Sequence, residues 1–143
     1  MKQFSKILLI AFFMGGMMVT TTTSFAQVSW KKPLHFLYKG TMKIGQKTRS
    51  ITMGFYWDDN DGSVAGEYYY GSGKNGTISF VGSYDHPTKK MTVNEYVIQN
   101  GSRKFTGSFS GLSAKGWYKG VWSNSNGVKM HSFALKLAKV YKK

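Results

Sequence analysis

From Phe36 to Leu137 the apolar residues of this chain recur at every second position, and glycines share the phase of the aromatic rings. That period puts side chains on one face of a β-strand, whereas a helix needs spacings of three and four. The alternating sets are Phe36, Tyr38, Gly40, Met42, Ile44; Ile51, Met53, Phe55, Trp57; Val64, Gly66, Tyr68, Tyr70; and Ile78, Phe80, Gly82. The second half continues with Met91, Val93, Glu95, Val97; Phe105, Gly107, Phe109; Gly116, Tyr118, Gly120, Trp122; and Phe133, Leu135, Leu137. Eight strands are expected.

Short turn clusters separate the sets: Asp58 to Gly62, Gly71 to Gly76, Asp85-His86-Pro87, Asn100-Gly101 and Ser123 to Gly127. None leaves room for a helical crossover, so neighbouring strands must pair antiparallel. The fold class that follows is all-β: a single eight-stranded antiparallel up-and-down meander, forming a small closed or partly open β-barrel. At Asn100-Gly101 a two-residue loop would pair Ile98 with Arg103 and set Phe105 opposite Tyr96, splitting the apolar set between faces. A three-residue loop, Gln99 to Gly101 with Gly101 left-handed in a bulge, keeps the set together and pairs Glu95 with Phe105 and Val93 with Gly107. The latter is the expected register.

Five stretches repeat an apolar or aromatic residue on either side of a glycine two positions away, with glycines at 40, 66, 82, 107 and 120. Glycine weakens a strand, so its return on the packed face implies close backbone approach or sharp coiling, with a neighbouring ring covering the gap. The Tyr118-Lys119-Gly120-Val121-Trp122 stretch resembles the core of a MORN repeat, but that repeat's further glycines are missing and nothing is carried over from it. The meander as a whole, with glycine and aromatics alternating behind an export segment, resembles the small calycin-type barrels, such as avidins and lipocalins. That resemblance is one of architecture; it implies ligand binding in the barrel mouth and transfers no binding residue.

The export segment is the N-terminus, where Lys2 and Lys6 precede an apolar run from Ile7 to Val19 and Ser24-Phe25-Ala26 offers small residues for cleavage before Gln27. Gly15, Gly16 and Thr20 to Thr23 interrupt the run before the roughly 20 apolar residues of a transmembrane helix are reached. Residues 1–26 are therefore read as a cleaved signal peptide and 27–143 as one domain, released to the periplasm or outside the cell. With no cysteine the chain is not a lipoprotein, and neither disulfides nor thiolate-bound zinc hold it together. Cleavage removes two lysines and no acid, so the formal charge of +14 falls by two, to +12.

Only two glutamates exist, and Glu95 shares the inward phase. Such a carboxylate must be hydrogen-bonded or paired. It is either the polar end of a ligand cavity, with Tyr68, Tyr70, Tyr118 and Trp122, or a structural group held by a tyrosine or by Arg103. Glu67 has the opposite phase, expected to face water, so the two do not form a glycosidase pair. Asp58, Asp59 and Asp61 lack the order of a calcium loop and read as a hairpin turn. His35, His86 and His131 show no metal-ligand spacing, and no strained Gly-x-Ser-x-Gly turn occurs. No enzyme, metal or cofactor is expected. Tyr56, Tyr69, Tyr96 and Trp117 alternate outward, where rings beside lysines can stack on sugars or bases.

The function expected is that of an exported, non-enzymatic binding protein for an anionic or aromatic small ligand or an envelope component. The rival is an envelope-structural or interaction protein whose lysine-rich exterior binds an anionic envelope polymer or lipid. Scarce arginine and the lack of a recognition motif argue against sequence-specific nucleic-acid binding. A small outer-membrane barrel with its aromatic face in lipid is a third reading, whereas a lysozyme inhibitor is disfavoured because lysozymes are themselves basic. Mass spectrometry of the protein from its own cell envelope is expected to show a lipid-free chain starting at Gln27; a chain retaining Met1 refutes the cleavage.

Overall fold

A computed structural model describes residues 35–141; the expected export segment, residues 1–26, lies outside them. Eight strands follow one another without a helix: β1 (Phe36–Ile44), β2 (Lys47–Trp57), β3 (Ser63–Tyr70), β4 (Ile78–Asp85), β5 (Lys90–Gln99), β6 (Ser102–Ala114), β7 (Trp117–Asn124) and β8 (Met130–Val140). Each pairs antiparallel with the next, and β1 pairs with β8 from Phe36 opposite Val140 to Met42 opposite Phe133. The barrel is therefore closed, and among the described residues the strand edges are paired except at the tip of the β5–β6 hairpin, which runs past its neighbours.

The alternating sets fill the interior, as an eight-stranded barrel requires. Tyr38, Met42, Ile51, Met53, Phe55, Val64, Tyr68, Phe80, Met91, Val93, Phe109, Tyr118, Phe133 and Leu135 are all buried in one cluster. Edge-to-face rings cross it from β3 to β7: Tyr68 to Phe109 at 5.1 Å, Phe109 to Phe133 at 5.2 Å and Phe133 to Tyr118 at 4.7 Å. The outer wall carries many Lys, Ser and Thr side chains together with exposed Val81, Leu112, Trp117 and Val121. Trp117, on that wall, already carries Lys119 Nζ at 4.0 Å and Lys136 Nζ at 5.8 Å from its ring centroid, so lysines occupy the stacking face.

The inward glycines are where the backbones meet. A methyl group at Gly40, Gly66, Gly82, Gly111 or Gly120 would lie only 2.0–2.1 Å from a carbonyl oxygen of the neighbouring strand. Gly111 and Gly120 face each other directly. At Gly66 the Phe80 ring covers the gap, as expected for a ring laid over a coiled strand.

Two expectations fail. The β5–β6 turn is the two-residue one: Asn100 and Gly101 both have positive φ, 52° and 76°, and Gln99 pairs with Ser102, Ile98 with Arg103 and Tyr96 with Phe105. Positive φ at both central residues matches the right-handed twist of the strands, which is why Asn-Gly favours this turn. The phase is restored one step later by a bulge at Thr106, so that Glu95 pairs with Gly107 and Val93 with Phe109. Phe105 consequently leaves the core and packs outside against Tyr96, their centroids 5.9 Å apart. Glu67 does lie on the outer side of β3, yet it is only 6% exposed, and Thr77 and Ser79 donate hydroxyl hydrogen bonds to its Oε1 at 3.2 and 3.5 Å.

Gly82→Ala should lower stability by about 1–3 kcal/mol as overpacking forces β4 and β5 apart. An unchanged denaturation midpoint would refute the close approach inferred at this position.

Candidate ligand-binding site

The meander assigns every turn to one of two ends. At one, β1 begins and β8 ends, and Tyr141 N–H donates to the His35 carbonyl at 2.8 Å. The other, here the distal rim, carries the β1–β2, β3–β4, β5–β6 and β7–β8 turns. Glu95 sits inside the barrel in the distal half of β5 and is 4% exposed.

Three neutral donors converge on its carboxylate. Tyr68 Oη from β3 donates to Oε2. Trp122 Nε1 from β7 donates to the same oxygen at 3.1 Å, and Thr106 Oγ1 from β6 donates to Oε1 at 2.9 Å. Each depends on a local feature. The bulge turns Thr106 inward; in a regular β6 the position between Phe105 and Gly107 would break phase. Gly107 lets the indole in, since a methyl group there would sit 2.7 Å from Trp122 Cζ2. The outer flank of Trp122 stacks on His131, the rings 3° from parallel and 5.4 Å apart.

Of the residues expected around Glu95, Tyr68 and Trp122 touch it, while Tyr70 lies edge-on against Tyr68 at 5.5 Å and contacts Met42 Sδ at 3.6 Å. Tyr118 is elsewhere: it is the second residue of β7, in the other half of the barrel, and its hydroxyl donates to the Met91 carbonyl at 3.3 Å. The tyrosine hold on Glu95 is thus Tyr68; Arg103 is exposed on the β5–β6 hairpin, paired with Ile98. With donors on both oxygens, Glu95 links β3, β5, β6 and β7. Thr106 was not legible because its role depends on the bulge; the Asn-Gly turn is the signal that, if followed, leaves one residue too many in β6.

Burial, reinforced by the Glu95 charge and by Tyr70, pushes the Tyr68 phenol far above its ordinary range, and burial does the same to Tyr118. Burial also raises Tyr70, partly offset by its hydrogen bond with Tyr68. Comparison with family models, with curated proteins and with solved structures finds no match to this chain. The site is therefore read from its own chemistry.

Beside Tyr70 the rim holds a depression of about 500 Å³, lined by Thr48, Arg49, Ser50, Gly71, Ser72, Lys74 and Asn75 as well as the Tyr70 ring. Its lining residues include two cations, three hydroxyl residues, an asparagine and a tyrosine. The four aspartates, Asp58, Asp59, Asp61 and Asp85, all belong to the opposite end, and both glutamates are buried. Among the described residues the rim thus presents no exposed acid, and its cations are left to attract anions.

Because the folded state holds the Tyr68 and Tyr118 protons more tightly than the unfolded chain, their contribution to stability is complete below a pH of about 10, the unfolded phenol value, and is lost as pH rises past it. In an alkaline titration, phenolate absorbance from these two should appear only together with loss of the β-sheet circular dichroism. Titration of all nine tyrosines with the sheet signal intact would contradict their burial.

Proposed function

We propose that this chain is an exported, non-enzymatic binding protein whose small anionic ligand, carrying a ring, sits in the distal depression against Arg49, Lys74 and Tyr70. The observation that carries the reading is that Arg49, Lys74 and Tyr70 line one depression on an end of the barrel where, among the described residues, no acid is exposed. Arg49 offers a planar fork suited to a carboxylate, sulfonate or phosphate, Lys74 a point charge, and Tyr70 a ring whose far edge is held by the Tyr68–Glu95 pair. Binding in one mouth of a closed eight-stranded barrel also accords with the calycin-like architecture.

An acid–base hydrolase is not supported, since Glu95 is engaged inside the wall and Glu67 lies on its outer side. Export rests on the N-terminal pattern of Lys2, Lys6, the apolar run and Ser24-Phe25-Ala26.

The test is a fluorescence titration with 8-anilinonaphthalene-1-sulfonate, an anionic aromatic probe. Arg49→Ala with Lys74→Ala should weaken binding at least about tenfold, whereas Lys115→Ala with Lys139→Ala at the other end should leave it unchanged. Glu95→Gln is expected to cost about 1–3 kcal/mol of stability, by setting an amide where three donors converge, while the folded variant keeps its affinity within about twofold. Equal affinity of the Arg49/Lys74 variant and the wild type would overturn the assignment.

A further inference from the structure

We propose that the β5–β8 side of the distal rim docks on an anionic lipid bilayer, as a peripheral contact and not as a span. Three large apolar side chains stand in water at its tips: Ile98 is 71% exposed, Val128 78% and Met130 64%. They belong to adjacent hairpins, joined where Ser125 N–H donates to the Thr106 carbonyl at 3.0 Å. The β5–β6 hairpin projects beyond its neighbours, because the pairing of β4 with β5 stops at Ser79 opposite Tyr96 and that of β7 with β6 stops at Asn124 opposite Gly107. On its outer wall, just below Ile98, lies the Tyr96–Phe105 ring pair, at the level where amphipathic rings meet headgroups.

Charge selects the partner. Arg103, Lys104 and Lys129 flank the apolar tips, and Lys43, Lys47, Arg49 and Lys74 continue the basic rim around the β1–β4 side. Among the described residues no exposed acid interrupts it, since the four aspartates are at the opposite end and both glutamates are buried. A soluble polyanion answers the cations and gives no reason for Ile98, Val128 and Met130 to stand at the tips. An anionic bilayer takes both: phosphate headgroups accept the lysine and arginine charges while the apolar side chains enter the acyl boundary. The outer wall of the barrel, with Lys39, Ser83, Thr92, Asn94, Ser108 and Ser132, stays in water. This proposal does not rest on the ligand depression, which lies on the other side of the rim.

Co-sedimentation of the full chain with vesicles of phosphatidylcholine containing about one-third phosphatidylglycerol tests it, against phosphatidylcholine alone. The expected result is binding to the anionic vesicles, weakened at high salt, and at least about tenfold weaker for Ile98→Ser/Val128→Ser/Met130→Ser. That variant should keep its unfolding midpoint and its affinity for the anionic aromatic probe, which separates this proposal from the ligand assignment. Wild type and variant share the apolar N-terminal run, so vesicle binding indifferent to the three substitutions overturns the proposal. So does failure to bind anionic vesicles, or equal binding of both chains to soluble heparin with no loss on vesicles, which would assign the rim to polymers instead.

Discussion

An eight-stranded sheet closes on itself only where its strands coil tightly enough for one backbone to press into the next. In this protein that contact is made at inward glycines, where the carbonyl oxygen of the neighbouring strand occupies the space a Cβ would fill. Closure then pairs β1 with β8, and the remaining requirement is to fill a narrow interior. The large rings do this, and the glycines decide which of them can lie flat. Phe80 rests over Gly66 and Trp122 over Gly107, so the same substitutions that permit coiling also position the side chains that cover it. Without cysteines, this packing carries the fold.

Within so apolar a space a carboxylate is costly unless its lone pairs are met. Glu95 meets the condition with one donor from each of three other strands, two of which, β3 and β7, are not its neighbours. The network therefore links opposite walls of the barrel and depends on their relative register. Tyr68 and Tyr70 lead from the carboxylate outward to the rim. There the charges are no longer compensated: the aspartates cluster at the end where β1 begins and β8 ends, cations remain at the other, and the barrel acquires a polarity along its axis.

That polarity gives one end two kinds of surface. On the β2–β4 side it is concave, with Arg49, Lys74 and a tyrosine ring at a depression suited to a small anion. On the β5–β8 side it is convex, with apolar tips rising between basic residues. A closed barrel makes this division easily, because alternate turns project at the same end whatever their sequences and differ only in length and side chains.

Strand number, all-antiparallel pairing, the inward phase of each apolar set and the position of Glu95 inside the wall were legible because they follow from a local period of two and from turns too short for a crossover. Local pattern also placed Tyr68, Tyr70 and Trp122 on the correct face. It failed where several strands must agree. The choice between turns at Asn100 and Gly101 was weighed on keeping Phe105 in phase, whereas the strands adopted the favoured turn and absorbed the mismatch in a bulge at Thr106. Glu67 read as solvated because nothing local shows that Thr77 and Ser79 donate to it on the outer face of β3. Tyr118 shares the phase of Trp122 and still serves a different partner, since four residues along β7 separate the two halves of the barrel. Alternation by itself determined which side of the wall each residue takes; closure, bulges and axial position, which depend on contacts between distant strands, were decided only by the tertiary structure.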